Sequence, residues 1–314
     1  MRYSVFALDW GEGFRDNDSP MSTALLLRSP GKINFGLDII RRRPDGFHEL
    51  ESIMTPLDVC DEMEFELRNA AHGLTMECDA PGLPTDSSNL VIRAAELLQR
   101  HSQAAAGAHI RLRKRLPIAA GMGGGSGNGA VALAGLNQLW QLGLSREQLH
   151  PLAASLGSDC ALFLDPKPSF CHGRGELVEP LSDAEIRTMR AAHFVLINPG
   201  FGISTKWAYA EVRPFLTGRS GAIKVVRAAL AGGDLPAAAR AMVNTLEGPA
   251  LRKFPMLELL KESLARNGCV ASMMSGSGAT VFGVATERAS AERALAAARA
   301  EFGEKMWMTV AAAF

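Results

Sequence analysis

The chain has 314 residues, 47% of them apolar, enough to bury a substantial core in one large domain or two moderate ones. Its 33 basic and 33 acidic residues cancel, which leaves no overall field for holding nucleic acid or an anionic membrane and favours a small-molecule partner. Five scattered cysteines, Cys60, Cys78, Cys160, Cys171 and Cys269, are never in C-x-x-C spacing, so they suggest neither a zinc site nor a disulfide framework and fit a reducing cytoplasm.

Asp9, Glu12, Asp16 and Asp18 argue against a secretory or transit leader, and no apolar run is long enough to span a bilayer. Residues 1–20 are expected to be an extension outside the fold; a start at Met21 and a docked extension are the two options. Residues 23–29 and 33–40 read as strands around a Pro30-Gly31 break, "RRRPDGFHEL" as a polar turn, and 51–67 as further strand. "DSSNLVIRAAELLQRH" predicts a helix capped by Asp86 or Ser88, with Leu90, Val91, Ala94, Leu97 and Leu98 at helical spacing. The strand "HIRLRKRL" leads into "AAGMGGGSGNGA" at 119–130, after which Ala130, Leu133, Leu136 and Trp140 repeat at helical spacing. A helix "SREQLHPLAASL" stops at Gly157, and short strands follow around 169–178 and 194–198. Beyond 220, Ala- and Leu-rich helices surround the strand-like "ASMMSGSGATVFGVAT", and a helix over 287–302 precedes a last strand, "KMWMTVAAAF". The order reads as α+β in two lobes, 21–185 and 186–314, joined near 180–192.

The stretch 119–130 packs six glycines into twelve positions and opens directly into a buried helix. Glycines let the backbone approach an anion, and N–H groups at a helix start meet it with the positive end of the dipole. The Walker pattern is absent, because no Lys follows these glycines, and the dinucleotide pattern matches only in its weaker form, through Gly125, Gly127 and Ala130. Glu147, at the distance where a ribose-binding acid would fall, sits in a helix. A flexible linker is the plain alternative, and the buried helix speaks against it.

Taken together, "SPGKINFGLDIIRRRPDGFHELES" at 29–52, "KRLPIAAGMGGGSGNGAVALAGLNQLW" at 114–140, "LGSDCALFL" at 156–164, "GRGE" at 173–176 and "SGSGATVFG" at 275–283 resemble the GHMP kinases, in order over about 23–285. The glycine stretch is shared by galactokinase, homoserine kinase and mevalonate kinase types. "KIN" followed by "RPDGFHE" is the more specific part and is similar to members whose small-molecule substrate carries a cytidine diphosphate group. The resemblance implies a two-lobed fold with a ribosomal protein S5 domain 2-like N-terminal lobe and a ferredoxin-like C-terminal lobe. It also implies ATP and Mg²⁺ as cofactors, transfer of the γ-phosphoryl group to a hydroxyl, and a monomer or homodimer with no nucleic-acid or membrane partner. Another GHMP small-alcohol kinase, of mevalonate or homoserine type, and a catalytically silent ligand-binding protein on this fold are the alternatives.

By the same resemblance Asp159 accepts the proton of the attacking hydroxyl and Lys32 pairs with it and offsets the developing alkoxide charge. Read without the resemblance, Asp159 caps the next short helix and Lys32 is an exposed strand lysine. Gly121, Gly123, Gly124, Gly125, Ser126 and Gly127 are implied at the triphosphate, with Mg²⁺ held mainly through ATP and Ser126 offering a hydroxyl. Asn89 and Lys114 are implied near the adenosine, although Asn89 could equally cap a helix. Phe47 and His48 are implied at the cytosine, the one stacking and the other hydrogen bonding, with Tyr209 closing the stack. Tyr209 could equally be a core residue, and Trp207 is two positions away. Asn34, Thr205, Gly276 and Ser277 are implied as further substrate contacts, with an ordinary tight turn as the alternative for Gly276 and Ser277. Two departures stand out: Gly127 replaces a usual second serine, and Ala161 replaces a proline usual two residues after the aspartate.

Overall fold

The computed structural model describes residues 24–103, 106–212, 216 and 221–314; the extension expected over 1–20 lies outside them. Helices and strands alternate as an α+β chain, as expected. Two compact units emerge. One takes the residues through Pro30, Cys60–Arg115 and Gly125–Asp165; the other takes Gly31–Val59, Leu116–Gly124 and Pro166–Phe314. They interleave along the chain, where the order of elements had suggested a single join near 180–192. The reason is local: β1 (Ala24–Arg42) and β2 (His48–Asn69) are long strands that each run on from one unit into the other.

β1 does not break at Pro30-Gly31. Lys32 N–H donates to the Met122 carbonyl at 2.9 Å, and a Cβ on Gly31 would come within 2.8 Å of Leu116 Cδ2, so this glycine serves a close approach and not a turn.

In the first unit β2 pairs antiparallel with β4 (Ala106–Arg113), and β3 (Leu74–Cys78) pairs parallel with β4. The helix α1 (Leu90–Ser102) is capped by Asn89, whose side chain accepts from Val91 N–H; Asp86 caps only the turn at Ser88. Helix α2 (Gly124–Leu139) is buried from Gly127 to Asn137, and a Cβ on its Gly135 would sit 2.9 Å from the Phe65 ring, so small residues let it lie close on β2. α3 (Arg146–Leu156) starts at Ser145 with a capping box to Gln148.

In the second unit β5 (Ser169–Gly173) pairs with β2 and with β6 (Leu177–Pro180). After α4 (Asp183–Arg190) come β7 (His193–Asn198), helices α5 (Thr205–Glu211), α6 (Ala222–Ala231), α7 (Leu235–Arg240), α8 (Glu247–Lys253) and α9 (Met256–Arg266), then β8 (Ala271–Met274), β9 (Val281–Ala285), α10 (Arg288–Phe302) and β10 (Trp307–Ala312). The sheet runs β10-β7-β9-β8, every pair antiparallel, which is the β-α-β-β-α-β order of the expected ferredoxin-like lobe. Alternation along its strands buries both faces. Phe194, Leu196, Phe282 and Val284 join one core with Ile33, Phe35 and α6; Val195, Ile197, Val281 and Ala285 join another with α9 and α10.

Phe282 is fully buried and meets Phe194 edge to face at 6.2 Å. Phe282→Ala is expected to lower the unfolding free energy by about 3–5 kcal/mol, read as a shift of the urea midpoint.

Candidate active site

Lys32 and Asn34 lie two residues apart on β1 and therefore share a face. Lys32 is only 4% exposed, not a solvent-facing strand lysine. Its ammonium donates to Asn34 Oδ1 at 2.6 Å and to the Gly121 carbonyl at 3.2 Å. The Asn34 amide donates onward to Ser52 Oγ at 2.8 Å, and that hydroxyl to the Gly36 carbonyl, which fixes the direction in which Asn34 presents its oxygen. Ser275 Oγ donates to the Gly121 carbonyl at 2.9 Å and accepts from Asn34 N–H at 3.3 Å. Gly121 has φ +76, and a Cβ there would overlap the Ser275 carbonyl oxygen. Only glycine fits. Gly276 sits beside the ammonium: a Cβ on it would lie 3.1 Å from Asn34 Oδ1 and 3.5 Å from Lys32 Nζ. Asn244 holds this turn by donating to the carbonyls of Met274 and Gly276, and Ser277 Oγ shares a 3.1 Å hydrogen bond with Thr205 Oγ1. Lys32, Asn34, Gly121 and Gly276 thus converge, with Ser277 next along the turn and Thr205, at the start of α5, hydrogen-bonded to it.

The predicted aromatics also lie in this unit. Phe47 is 53% exposed, its N–H held by Asp45 Oδ1 at 3.1 Å. The rings of His48 and Tyr209 are 5.2 Å apart at 45°. Trp207 faces Phe254 and the Lys253 ammonium instead, so of the two candidates Tyr209 is the one beside His48.

The glycine stretch reaches the start of α2 with Gly121 and Gly123 at positive φ. The first N–H groups of α2 have no intrahelical acceptor, which makes this end suited to an anion. Beyond Gly125 a Cβ would find nothing nearer than Leu90 Cδ1 at 4.0 Å, whereas at Gly127 it would come within 2.9 Å of the Pro30 carbonyl and 3.0 Å of Ser29 Oγ. The Gly127 departure therefore matches a close approach of β1. Asn128 donates to Ser29 Oγ at 2.9 Å and to Asp61 Oδ2 at 3.0 Å. Asp61 is fully buried; it also accepts from the Arg115 N–H at 2.8 Å and ion-pairs with Lys114. The Lys114 ammonium and the Asn89 side chain, which caps α1, are thus both engaged within the protein.

Asp159 is half-buried in the turn after α3. The short 3₁₀ turn Ala161–Leu164 has Cys160 at its N-cap and no side-chain capping bond, so the capping role weighed for Asp159 is not seen. Burial pushes the Cys160 thiol up to about 12; a hydrogen bond with the Ser126 side chain and the charge of Arg93 oppose the rise, and the charge of Asp159 adds to it. One buried, protonated thiol therefore has both Ser126 and Asp159 for neighbours. Asp159 belongs to the first unit and Lys32 to the second.

Among the described residues no three His, Cys, Asp or Glu side chains converge on a position for a metal ion. Among the described residues no helix is long and apolar enough to cross a membrane.

Comparison with known proteins identifies the family. Residues 89–165 match the GHMP kinases N terminal domain, and residues 226–304 match the GHMP kinases C terminal domain. A relative from Synechococcus sp. (strain JA-3-3Ab), 4-diphosphocytidyl-2-C-methyl-D-erythritol kinase, is 40% identical over 86% of this chain and 87% of its own length. The chain belongs to the 4-diphosphocytidyl-2-C-methyl-D-erythritol kinase family. A crystal structure of 4-(cytidine 5'-diphospho)-2C-methyl-D-erythritol kinase has a TM-score of 0.75 at 32% identity, covering 92% of this chain and 100% of that one. A homoserine kinase from Cytophaga hutchinsonii shares the fold alone, with a TM-score of 0.68 at 16% identity over 95% and 97% of the two chains. Sequence reasoning named Lys32, Asn34, Gly121 and Gly276, which converge in the second unit, but missed Ser52, Asn244 and Ser275 beside them, and Asp61 in the first unit. Ser275 had a signal, since it belongs to the quoted "SGSG"; Asp61 reads in sequence as one acid among several in a strand.

Removing the carboxylate at 61 leaves a buried ammonium and two donors uncompensated. Asp61→Ala is expected to cost about 3–5 kcal/mol of stability, measured by urea unfolding; a loss below about 1 kcal/mol would show that the network carries little.

Proposed function

We propose that this chain transfers the γ-phosphoryl group of ATP to the 2-hydroxyl of 4-diphosphocytidyl-2-C-methyl-D-erythritol, a step of non-mevalonate isoprenoid precursor biosynthesis. The observation that carries it is the 40% identity over 86% of the chain to a relative bearing that name. The exposed Phe47 ring and the His48–Tyr209 ring pair support the cytidylated substrate over mevalonate or homoserine, which offer no base to stack.

Phosphoryl transfer asks a protein for positioning and charge stabilisation more than for a strong base. The N–H groups from Gly121, Gly123, Gly124, Gly125 and Gly127 and the Ser126 hydroxyl receive the triphosphate at the positive end of α2. Mg²⁺ bound with ATP neutralises charge on the phosphate oxygens. Asp159 takes the proton of the acceptor hydroxyl, and Lys32, already desolvated, stabilises the alkoxide that forms. Asn34, Thr205, Gly276 and Ser277 hold the substrate's polar groups; Phe47 and Tyr209 take the cytosine faces and His48 its polar edge. Asn89 and Lys114 serve the adenosine by fixing the start of α1 and the end of β4, since their polar ends are engaged elsewhere.

The deciding experiment measures ADP release with Mg²⁺-ATP on the cytidylated alcohol, mevalonate, homoserine and galactose. Turnover on the first alone is the expected outcome; turnover on another alcohol in its place removes the proposed substrate. Asp159→Asn is expected to lower kcat by about 10²-fold or more while ATP affinity stays within about threefold, and normal turnover by this variant would sink its assignment as base. Phe47→Ala is expected to raise the KM for the cytidylated alcohol about tenfold, the scale of one lost base stack, with little change in the KM for ATP.

A further inference from the structure

The "GRGE" motif at 173–176 has no part in the mechanism above, yet the fold builds it with care. It forms the turn between β5 and β6. Gly173 and Gly175 have φ +72 and +101, and Gly175 N–H donates to the His172 carbonyl at 3.0 Å. A side chain at 173 would crowd Glu176, whose Oε2 lies 3.0 Å from the place a Cβ would take. The Glu176 carboxylate folds back on Arg174 and accepts from its N–H at 2.6 Å and from its Nε at 3.4 Å. Burial pushes the Glu176 carboxyl up, but hydrogen bonds from its own backbone N–H and from Arg174 outweigh this and hold it below the usual carboxylate range. It stays ionised at neutral pH, and the arginine stays clamped.

The clamped guanidinium has a definite target. Its carbon lies 4.8 Å from the centroid of the Phe47 ring. β-pairing sets this approach: Leu50 is opposite Gly173, so the turn after Gly173 faces the residues that precede Leu50. Phe47 is pinned at its backbone, by Asp45 Oδ1 on its N–H and by the Arg43 N–H on its carbonyl at 2.7 Å, while its ring is half in solvent. An exposed ring that must be ordered on binding loses affinity, and a cation on one face orders it beforehand.

We infer that Arg174 is a positioning residue for the cytosine site: held by Glu176, it braces one face of Phe47 and leaves the other face for the base. This rests on the proposed stacking of cytosine on Phe47, and the experiment separates the two. Wild type, Arg174→Ala, Arg174→Lys, Phe47→Ala and the Arg174→Ala/Phe47→Ala double variant are compared for kcat and for KM toward the cytidylated alcohol and ATP. Calorimetric titration with cytidine 5'-diphosphate, with a non-hydrolysable ATP analogue filling the nucleotide site, gives a readout independent of turnover.

Arg174→Ala is expected to raise the KM for the cytidylated alcohol about three- to tenfold and weaken cytidine diphosphate binding in step, with kcat and the KM for ATP within about twofold. Lysine at 174 restores part of the loss, because the charge remains and the planar fork does not. In the Phe47→Ala background the loss of Arg174 adds nothing. An unchanged KM in Arg174→Ala beside a raised KM in Phe47→Ala overturns the inference and leaves the cytosine site standing. A full Arg174 effect in the Phe47→Ala background also overturns it, since the arginine would then act on the substrate directly. If Phe47→Ala changes neither KM nor binding, the stacking reading fails and the inference falls with it.

Discussion

A side chain cannot exist at residue 121, because its Cβ would overlap the carbonyl oxygen of Ser275. This single steric constraint organises the cluster around Lys32 in the second unit. It lets the Gly121 carbonyl reach both the Lys32 ammonium and the Ser275 hydroxyl, and it brings the turn around Gly276 against Asn34. Backbone that approaches backbone this closely leaves its carbonyls and N–H groups as the chemistry, which is what recognition of phosphate groups uses.

Charge burial is the second theme, and each instance is met by a dense set of partners. The Lys32 ammonium finds an amide oxygen and a carbonyl whose own positions are fixed by further hydrogen bonds. The Asp61 carboxylate takes a backbone N–H, an amide and an ammonium, and through Asn128 it reaches the beginning of α2 and Ser29 on β1. Charged groups removed from water are tolerated only with such satisfaction, and a group so held is oriented before any ligand arrives. That preorganisation serves a phosphoryl transfer, in which little beyond position and charge is asked of the protein.

The aromatic corner follows a different logic. Phe47 is left half in solvent, in contrast to Phe35, Phe194 and Phe282, which are wholly buried. The charges around it, Asp45 and Arg43 on its own turn and Arg174 from the neighbouring one, govern its setting in place of apolar packing. Desolvation pushes the Asp45 carboxyl up, but the hydrogen bonds it accepts from Phe47 N–H and from Arg43, with the charges of Arg43 and Arg174, outweigh this and hold it below its usual range, so the corner keeps its charges at neutral pH.

Local signals in the amino-acid sequence determined a good deal. Period and capping residues marked α2, α3, α10 and the alternating strands, and the glycine stretch ahead of a buried helix raised the expectation of an anion loop, because these depend on neighbours within a few residues. The motifs carried the family. What the sequence could not hold was partnership across distance. Proline and glycine at 30 and 31 looked like a break, but the approach of Leu116 makes them part of one long strand. Lys32 could have been any strand lysine until its burial beside Gly121 was seen, and Asp159 looked like a cap until the next turn began at Ala161. Only the tertiary structure decided that Tyr209 and not Trp207 stands by His48, that Asp61 takes the Lys114 charge, and that Arg174 lies over Phe47. Each of these pairs is far apart along the chain, and their meeting is set by strand register and packing, which no local pattern encodes.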